Sequence, residues 1–149
     1  MSSLFQQEGL QQMVDRINRL TPDTQRQWGK MDVAQMVAHI RLPLEVGMGK
    51  IELPDMFIMK LIGPMIRKSI FSDKPTKKNS PTADILRITG PRDFNTEKTA
   101  LLQTLNDFIA QGNQGKLVEK HKYFGKMNTE EWGTFQRRHL DHHLSQFGV

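Results

Sequence analysis

The stretch NTEEWGTFQRRHLDHHLSQF, residues 128–147, is the part of the chain that most strongly indicates its fold. Asn128 is a typical N-cap residue, and Glu131 three residues later completes a capping box, so a helix begins here and runs to about the end of the stretch. His139 and His143 are four residues apart, which puts them on one helix face, one turn from each other. The stretch therefore predicts a final helix that carries a His-x-x-x-His pair.

The apolar residues of this helix indicate which way the pair faces. One helix face carries Trp132, Phe135, His139, either His142 or His143, and Gln146. Because this face begins with two aromatic residues, its histidines are expected to point inward. Several buried imidazoles close together are costly, because a charge on one would repel a charge on the others. A bound metal ion would remove that cost, and two imidazoles leave at least one further ligand to come from elsewhere.

A second helix supplies the candidate for that ligand. Asp32 is a predicted N-cap and Gln35 completes its capping box, so the helix begins there and fades at Gly47-Met48-Gly49. His39 lies two turns after Asp32, and His139 about three turns after its own cap, so each lies within about 20° of the face of its cap. His39 is embedded in apolar sequence, Val-Ala-His-Ile.

Ordinary structural roles compete with a metal site at each histidine. A lone buried histidine such as His39 is commonly a hydrogen-bonded core residue, and His139 with His143 also fits a surface pair. His142 fits an outer or packing position better than a ligand position, and His121 fits a loop. Pro43 cannot donate to the carbonyl of His39, which predicts either a simple bend or an opened turn beside the histidine.

The remaining segments complete an all-α prediction for one domain, residues 1–149. Serine, lysine and proline indicate a loop from about residue 72 to Pro81. The segment Ala83–Ile88 is too short to assign from its pattern, and an extended conformation is one interpretation. The other predicted elements are a helix from Gln6 to Leu20, an amphipathic segment from Asp55 to Phe71 broken at Gly63-Pro64, and a helix from Thr96 to Gln111 stopped by Gly112.

Composition narrows the chemistry and the setting. The 149 residues contain no cysteine, which excludes disulfides, a cysteine nucleophile and thiolate ligands, so a metal would be held by His, Asp or Glu. The first twenty residues lack a secretory pattern. The most apolar region, Met56 to Ile70, is interrupted by charges, glycine and proline, so it does not predict a membrane span. A cytoplasmic protein is the expectation.

The net charge of +5 raises the question of nucleic acid. Part of the excess lies in the loop SDKPTKKNSPT, residues 72–82, and in Lys60, Arg67 and Lys68 before it. That loop has no aromatic residue to stack on bases, and the other charges are well mixed. A solvated basic loop is therefore favoured over a nucleic-acid partner, and anionic small molecules are also compatible with it.

Two motifs carry a resemblance to a known family. They are Trp28-Gly-Lys-Met with Gln35-Met-x-x-His39, and Phe124-Gly-Lys-Met followed by Trp132 and the final His-Leu-Asp-His-His-Leu-Ser-Gln-Phe. The chain resembles the DinB/YfiT-like superfamily of small metal-binding proteins, and within it an uncharacterised bacterial subfamily. The resemblance covers nearly the whole chain.

The resemblance implies a four-helix bundle of up-down-down-up topology, with a long crossover between its second and third helices at about residues 49–95. It implies three metal ligands, His39, His139 and His143, and a divalent zinc or nickel ion. It also implies a homodimer, and activities that include thiol S-transfer and hydrolysis.

The resulting hypothesis is a metal-dependent enzyme that acts on a small molecule, by hydrolysis or by thiol S-transfer. The alternative is a non-catalytic bundle that binds a metal or another ligand, and a nucleic-acid partner ranks third. No catalytic base is assigned. Asp141 should point away from the ligand face, the direction of Glu45 is uncertain after the proline, and Gln35 fits its cap better than a partner for His39.

Overall fold

The structure is a computed structural model that describes residues 3–78, 80 and 82–149, and these residues are mainly helical. Asn79 and Pro81, within the predicted basic loop, lie outside the described residues. The described part contains five α-helices, which are α1 Gln7–Arg19, α2 Val33–Gly47, α3 Phe57–Ile70, α4 Phe94–Asn113 and α5 Thr129–Gln146. A 3-10 turn at Asp84–Leu86 precedes α4. The all-α class is confirmed.

A small hairpin precedes α5, and the sequence did not predict it. Its strands are β1, Lys120–His121, and β2, Gly125–Lys126, and they pair antiparallel. Gly125 has a φ of 80°, a left-handed conformation that glycine adopts without a steric cost.

Both predicted capping boxes form, and they set the starts of the two histidine helices. The Asp32 side chain accepts from the Gln35 backbone at 2.8 Å, and the Gln35 side chain accepts from the Asp32 backbone at 3.0 Å. Asn128 and Glu131 make the same reciprocal pair, at 2.9 Å in each direction. These side chains satisfy backbone N–H groups that a helix start leaves without partners.

The predicted break at Gly63-Pro64 is wrong, because α3 continues through both residues. A proline removes one helical hydrogen bond, and contacts of α3 with the segment before α5 offset that loss. Gly63 packs so closely on the Tyr123 carbonyl oxygen that any Cβ there would overlap it. Arg67 donates to the Phe124 carbonyl at 3.1 Å and to Glu131 at 2.5 Å.

Three other local expectations need correction. Helix α4 begins at Phe94 after an Asp93 cap, two residues before the predicted start, and it continues past Gly112 to Asn113. Gly112 is buried against the Phe5 ring, so its lack of a side chain serves packing and not termination. The residues near Asp84 form a 3-10 turn and no strand.

Helix α2 lies at the centre of the packing. It makes the most extensive helix contact of the described chain with α4, and it also packs on α5, which in turn packs on α1. It stays helical through the buried Pro43, which favours the simple bend over the opened turn. The Pro43 carbonyl accepts a hydrogen bond at 2.7 Å from Gln136 on α5, a side chain with no exposed surface.

The side chains between these helices form one apolar core. Its largest fully buried members are Trp132, Phe108, Leu4, Met13, Ile17, Leu20, Met36, Ile40, Leu44, Leu101, Leu105 and Leu140. Within the described residues, none of the helices has both the length and the apolar character needed to cross a bilayer.

Candidate metal centre

The three predicted ligands come together at the interface of α2 and α5. His39 lies on α2 and is buried, whereas His139 and His143 lie one turn apart on α5 and are half-buried. The ring centroids of His39 and His139 are 5.1 Å apart, and His143 lies 4.7 Å from each of them. One nitrogen of each ring lies within 4.8 Å of one nitrogen of the others, which is close enough for all three to bind one metal ion.

Hydrogen bonds fix the protonation of two of these rings. The Nδ1 atom of His39 lies 2.7 Å from the Leu86 carbonyl oxygen, which can only accept, so Nδ1 carries the proton. The Gln146 amide donates to the Trp28 carbonyl at 2.7 Å, which directs its Oε1 to His143 Nδ1 at 2.9 Å. His143 Nδ1 must therefore donate as well, and each neutral ring keeps its lone pair on Nε2.

The two Nε2 atoms face each other at 3.2 Å. Two lone pairs at this distance repel, and a cation between them would turn the repulsion into two bonds. Two imidazole nitrogens bound tetrahedrally at about 2.0–2.1 Å from zinc are about 3.3 Å apart. The separation of His39 and His143 thus fits two ligands of one metal ion.

His139 supplies the third candidate ligand, and within the described chain one of its ring nitrogens lacks a hydrogen-bond partner. Its Nδ1 atom is buried and has no hydrogen-bond partner among the described residues. A buried polar atom without a partner is costly, and such atoms call for a specific explanation, of which an ion is one. One nitrogen of this ring is close enough to those of His39 and His143 to share a metal ion with them.

Burial keeps all three rings neutral, the form that binds metals. It lowers the pKa of His143 to about 3, and repulsion between this ring and His39, if both were protonated, acts in the same direction. Burial also lowers the pKa of His139 well below the usual value, with His143 and His39 adding to the effect. For His39, burial lowers the pKa more than the hydrogen bond to Leu86 raises it.

The other two histidines lie outside the cluster. His142 is half-buried on α5, with its ring 5.0 Å from that of His143 and 6.1 Å from that of Trp28. His121 is buried elsewhere, stacked on Phe124 at 4.2 Å. Its Nδ1 accepts from the Tyr123 backbone at 3.1 Å, and burial lowers its pKa to about 4.

The carboxylates considered from the sequence are engaged by arginines. Asp141 is exposed and pairs with Arg16 at 2.5 Å, as its position off the ligand face predicts. Glu45 pairs with Arg41 at 2.6 Å. Gln35 serves the cap of α2, and its amide also donates to the Gly90 carbonyl at 3.2 Å, so it is no partner of His39.

The partners that orient the ligand rings were not assigned from the sequence. Gln146 carried a signal, because it lies three residues after His143 on the same helix face. The Leu86 and Trp28 carbonyls carried none, because every residue has a carbonyl and only the path of the chain brings these two to the histidines. Such partners set the tautomer and the direction of a ligating ring.

The fold and the site define a mainly helical protein with three histidines close enough together to bind a metal ion. The chain belongs to the family described as "Protein of unknown function (DUF1569)", whose model matches residues 2–148. No curated protein and no solved structure matches the chain.

Proposed function

We propose that this chain binds one divalent zinc or nickel ion through His39, His139 and His143 and uses it to act on a small molecule by hydrolysis or thiol S-transfer. The observation that carries the proposal is the pair of opposed Nε2 atoms, 3.2 Å apart, on rings whose Nδ1 protons are already committed to oxygens. Three neutral imidazoles match the ligand set of catalytic metal sites.

The ion and the protein would have different roles in the chemistry of such a site. His39, His139 and His143 would hold the ion, and a divalent ion bound there would supply Lewis acidity toward a water or a thiol. The chain holds the rings: Leu86 and Gln146 orient two of them, and burial keeps them unprotonated at neutral pH. His39 is buried, whereas His139 and His143 are half-buried, so the cluster is only partly exposed.

We further propose that the fold is the DinB-like four-helix bundle, in which α1, α2, α4 and α5 are the bundle helices. The packing of α2 on α4 and α5, and of α5 on α1, supports this proposal. Helix α3 and the 3-10 turn then belong to the long crossover. The homodimer and the cytoplasmic location rest on the resemblance and the sequence alone.

A metal titration tests the proposal directly. Protein purified without a histidine tag is loaded with zinc or nickel, desalted and measured by elemental analysis. We expect one ion per chain, lost in His39→Ala and His143→Ala and retained in His142→Ala, the neighbouring histidine outside the cluster. Folded protein that takes up no ion after loading would overturn the metal site.

The alternative function is a metal-binding module without turnover. It is favoured by the pairing of Asp141 and Glu45 with arginines, which leaves the cluster without an assigned base. Assays of the loaded protein with thiol acceptors and with amide and ester substrates separate the two. Stoichiometric metal without activity on any of these would favour the module.

A further inference from the structure

A cleft of about 380 Å³ opens beside the histidine cluster, between the basic loop and α5. Trp28, Lys74, Lys78, Arg138, His142 and Ser145 are among the residues that line it. The sequence favoured a solvated basic loop here. Residues 73–78 of that loop are exposed, and Arg138 binds the start of the loop to α5. Trp28, from the segment before α2, supplies the aromatic ring that the loop lacks.

The charge of the cleft is predominantly positive. Its lining includes four cationic side chains, Lys74, Lys78, Arg137 and Arg138, against the carboxylates of Asp73 and Asp141. The Asp141 carboxylate is already paired with Arg16. A concave surface lined by one sign of charge concentrates ligands of the opposite sign, so this cleft should attract anions.

Three contacts hold two of these cations in place before any ligand arrives. Arg138 donates to the carbonyls of Ser72, at 2.5 Å, and Lys74, which fixes the start of the basic loop against α5. The Lys78 ammonium lies 4.1 Å from the centroid of the Trp28 ring, within cation–π distance. Groups that are positioned in advance lose less entropy when a ligand binds.

The cleft and the metal centre share parts of their walls. Trp28 lines the cleft with its side chain and accepts, through its carbonyl, from Gln146, the partner of His143. His142 lines the cleft, and its ring lies 5.0 Å from that of the ligand His143. A small molecule held in the cleft would therefore lie next to His142, whose ring separates it from the ligand His143.

We propose that this cleft binds the anionic group, a carboxylate or a phosphate, of the small molecule that the metal centre acts on. The identification of the ligand as a substrate rests on the proposed function, but binding of the anion itself does not require the metal. Lys78 would be the main ligand of the anion, and Trp28 and His142 would lie between the anion and the metal centre.

The test uses metal-free, full-length protein with inorganic phosphate and succinate as separate probes, at constant ionic strength. The chain has two tryptophans, and their indole N–H resonances report the cleft at Trp28 and the core at Trp132, whose indole donates to the Val118 carbonyl. We expect a saturable shift of the Trp28 signal alone. Preference for phosphate or for succinate identifies the anion.

A matched pair of variants gives the decisive comparison. Lys78→Gln should weaken binding about tenfold, the effect of losing one hydrogen bond to a charged group, whereas Lys126→Gln, at an exposed lysine of the hairpin, should leave it unchanged. Equal binding by the two variants, or no saturable shift, would overturn the anion site. Tighter, steeply salt-dependent binding of a single-stranded oligonucleotide at the same residues would overturn its small-molecule assignment.

The test of the anion site can succeed or fail independently of the test of the metal site. The His39→Ala protein, which should bind no metal, should bind phosphate like the parent. Phosphate binding in a protein that never takes up metal would overturn the metal centre and leave the anion site standing. Metal uptake without phosphate or succinate binding would overturn the anion site alone.

Discussion

The Nε2 atoms of His39 and His143 face each other at 3.2 Å, while the Nδ1 atom of each ring lies within hydrogen-bond distance of an oxygen. The pair is therefore fixed in a tautomer that places two lone pairs together at the interface of α2 and α5. An arrangement that is unfavourable without a cation is one that a metal ion stabilises, which links ion binding to the stability of the fold.

The first prediction concerns Gln146, which orients His143. Gln146→Leu removes the acceptor for His143 Nδ1 and frees the ring to rotate or change tautomer. Metal affinity should fall about 10- to 100-fold, the usual effect of losing such a partner. Competition with a chromophoric chelator measures the change. Gln103→Leu on the exposed face of α4 is the control, and equal affinities in the two variants would contradict the role of Gln146.

The second prediction concerns the buried His121 and acid. Its pKa is about 4 in the folded chain against 6.5 when unfolded, so between these pH values the unfolded state binds more protons. The free energy of unfolding should therefore fall as the pH drops from 6.5 to 4, and His121 should contribute about 3 kcal/mol to that fall.

The measurement is urea denaturation of metal-free protein across this pH range. His121→Gln is similar in size but does not titrate, so its stability should decline less steeply with acid than that of the parent. Phe124→Leu removes the stacked ring and part of the burial that lowers the pKa of His121, so its pH slope should lie between those of the parent and of His121→Gln. A parental slope in His121→Gln would show that His121 does not drive the effect.

The third prediction concerns Gly112 within α4. An alanine in a helix interior is ordinarily about 0.5–1 kcal/mol more stable than glycine. Here the added Cβ would overlap the Phe5 ring, so Gly112→Ala should destabilise the fold by about 1–2 kcal/mol. Thermal or urea unfolding measures the change, and Asn106→Ala on the exposed face of the same helix should have little effect.

A double-mutant comparison identifies the cause. In a Phe5→Ala background the ring is absent, so Gly112→Ala should become neutral or slightly stabilising. A cost that persists in this background would place the conflict elsewhere than at Phe5.

The fourth prediction concerns the homodimer that the resemblance implies. Helix α3 exposes Phe57, Leu61 and Met65 by 76%, 64% and 68%, an apolar face that a partner copy would cover. Sedimentation velocity should find a dimer that Leu61→Asp converts to a monomer. Ile85→Asp, at an exposed apolar residue outside α3, should remain dimeric. A monomeric parent at tens of micromolar would contradict the dimer.

Predictions from the sequence were confirmed where the structure depends on residues that are close together in the chain. The two capping boxes and the inward face of α5 depend on residues three or four positions apart, and both are present in the structure. Gly63-Pro64 and Gly112 were misread for the opposite reason. Each looks like a helix breaker in isolation, but the Tyr123 carbonyl and the Phe5 ring, both distant in sequence, decide what these residues do.

The sequence by itself determined which residues could form a metal site, because helical periodicity puts His139 and His143 on one face and the cap of α2 orients His39. Only the tertiary structure decided that the three meet, since the packing of α2 against α5 sets the distance between rings about a hundred positions apart. It also decided the tautomers of His39 and His143 and the walls of the cleft, because a sequence pattern does not show which backbone carbonyls or loops will meet these side chains.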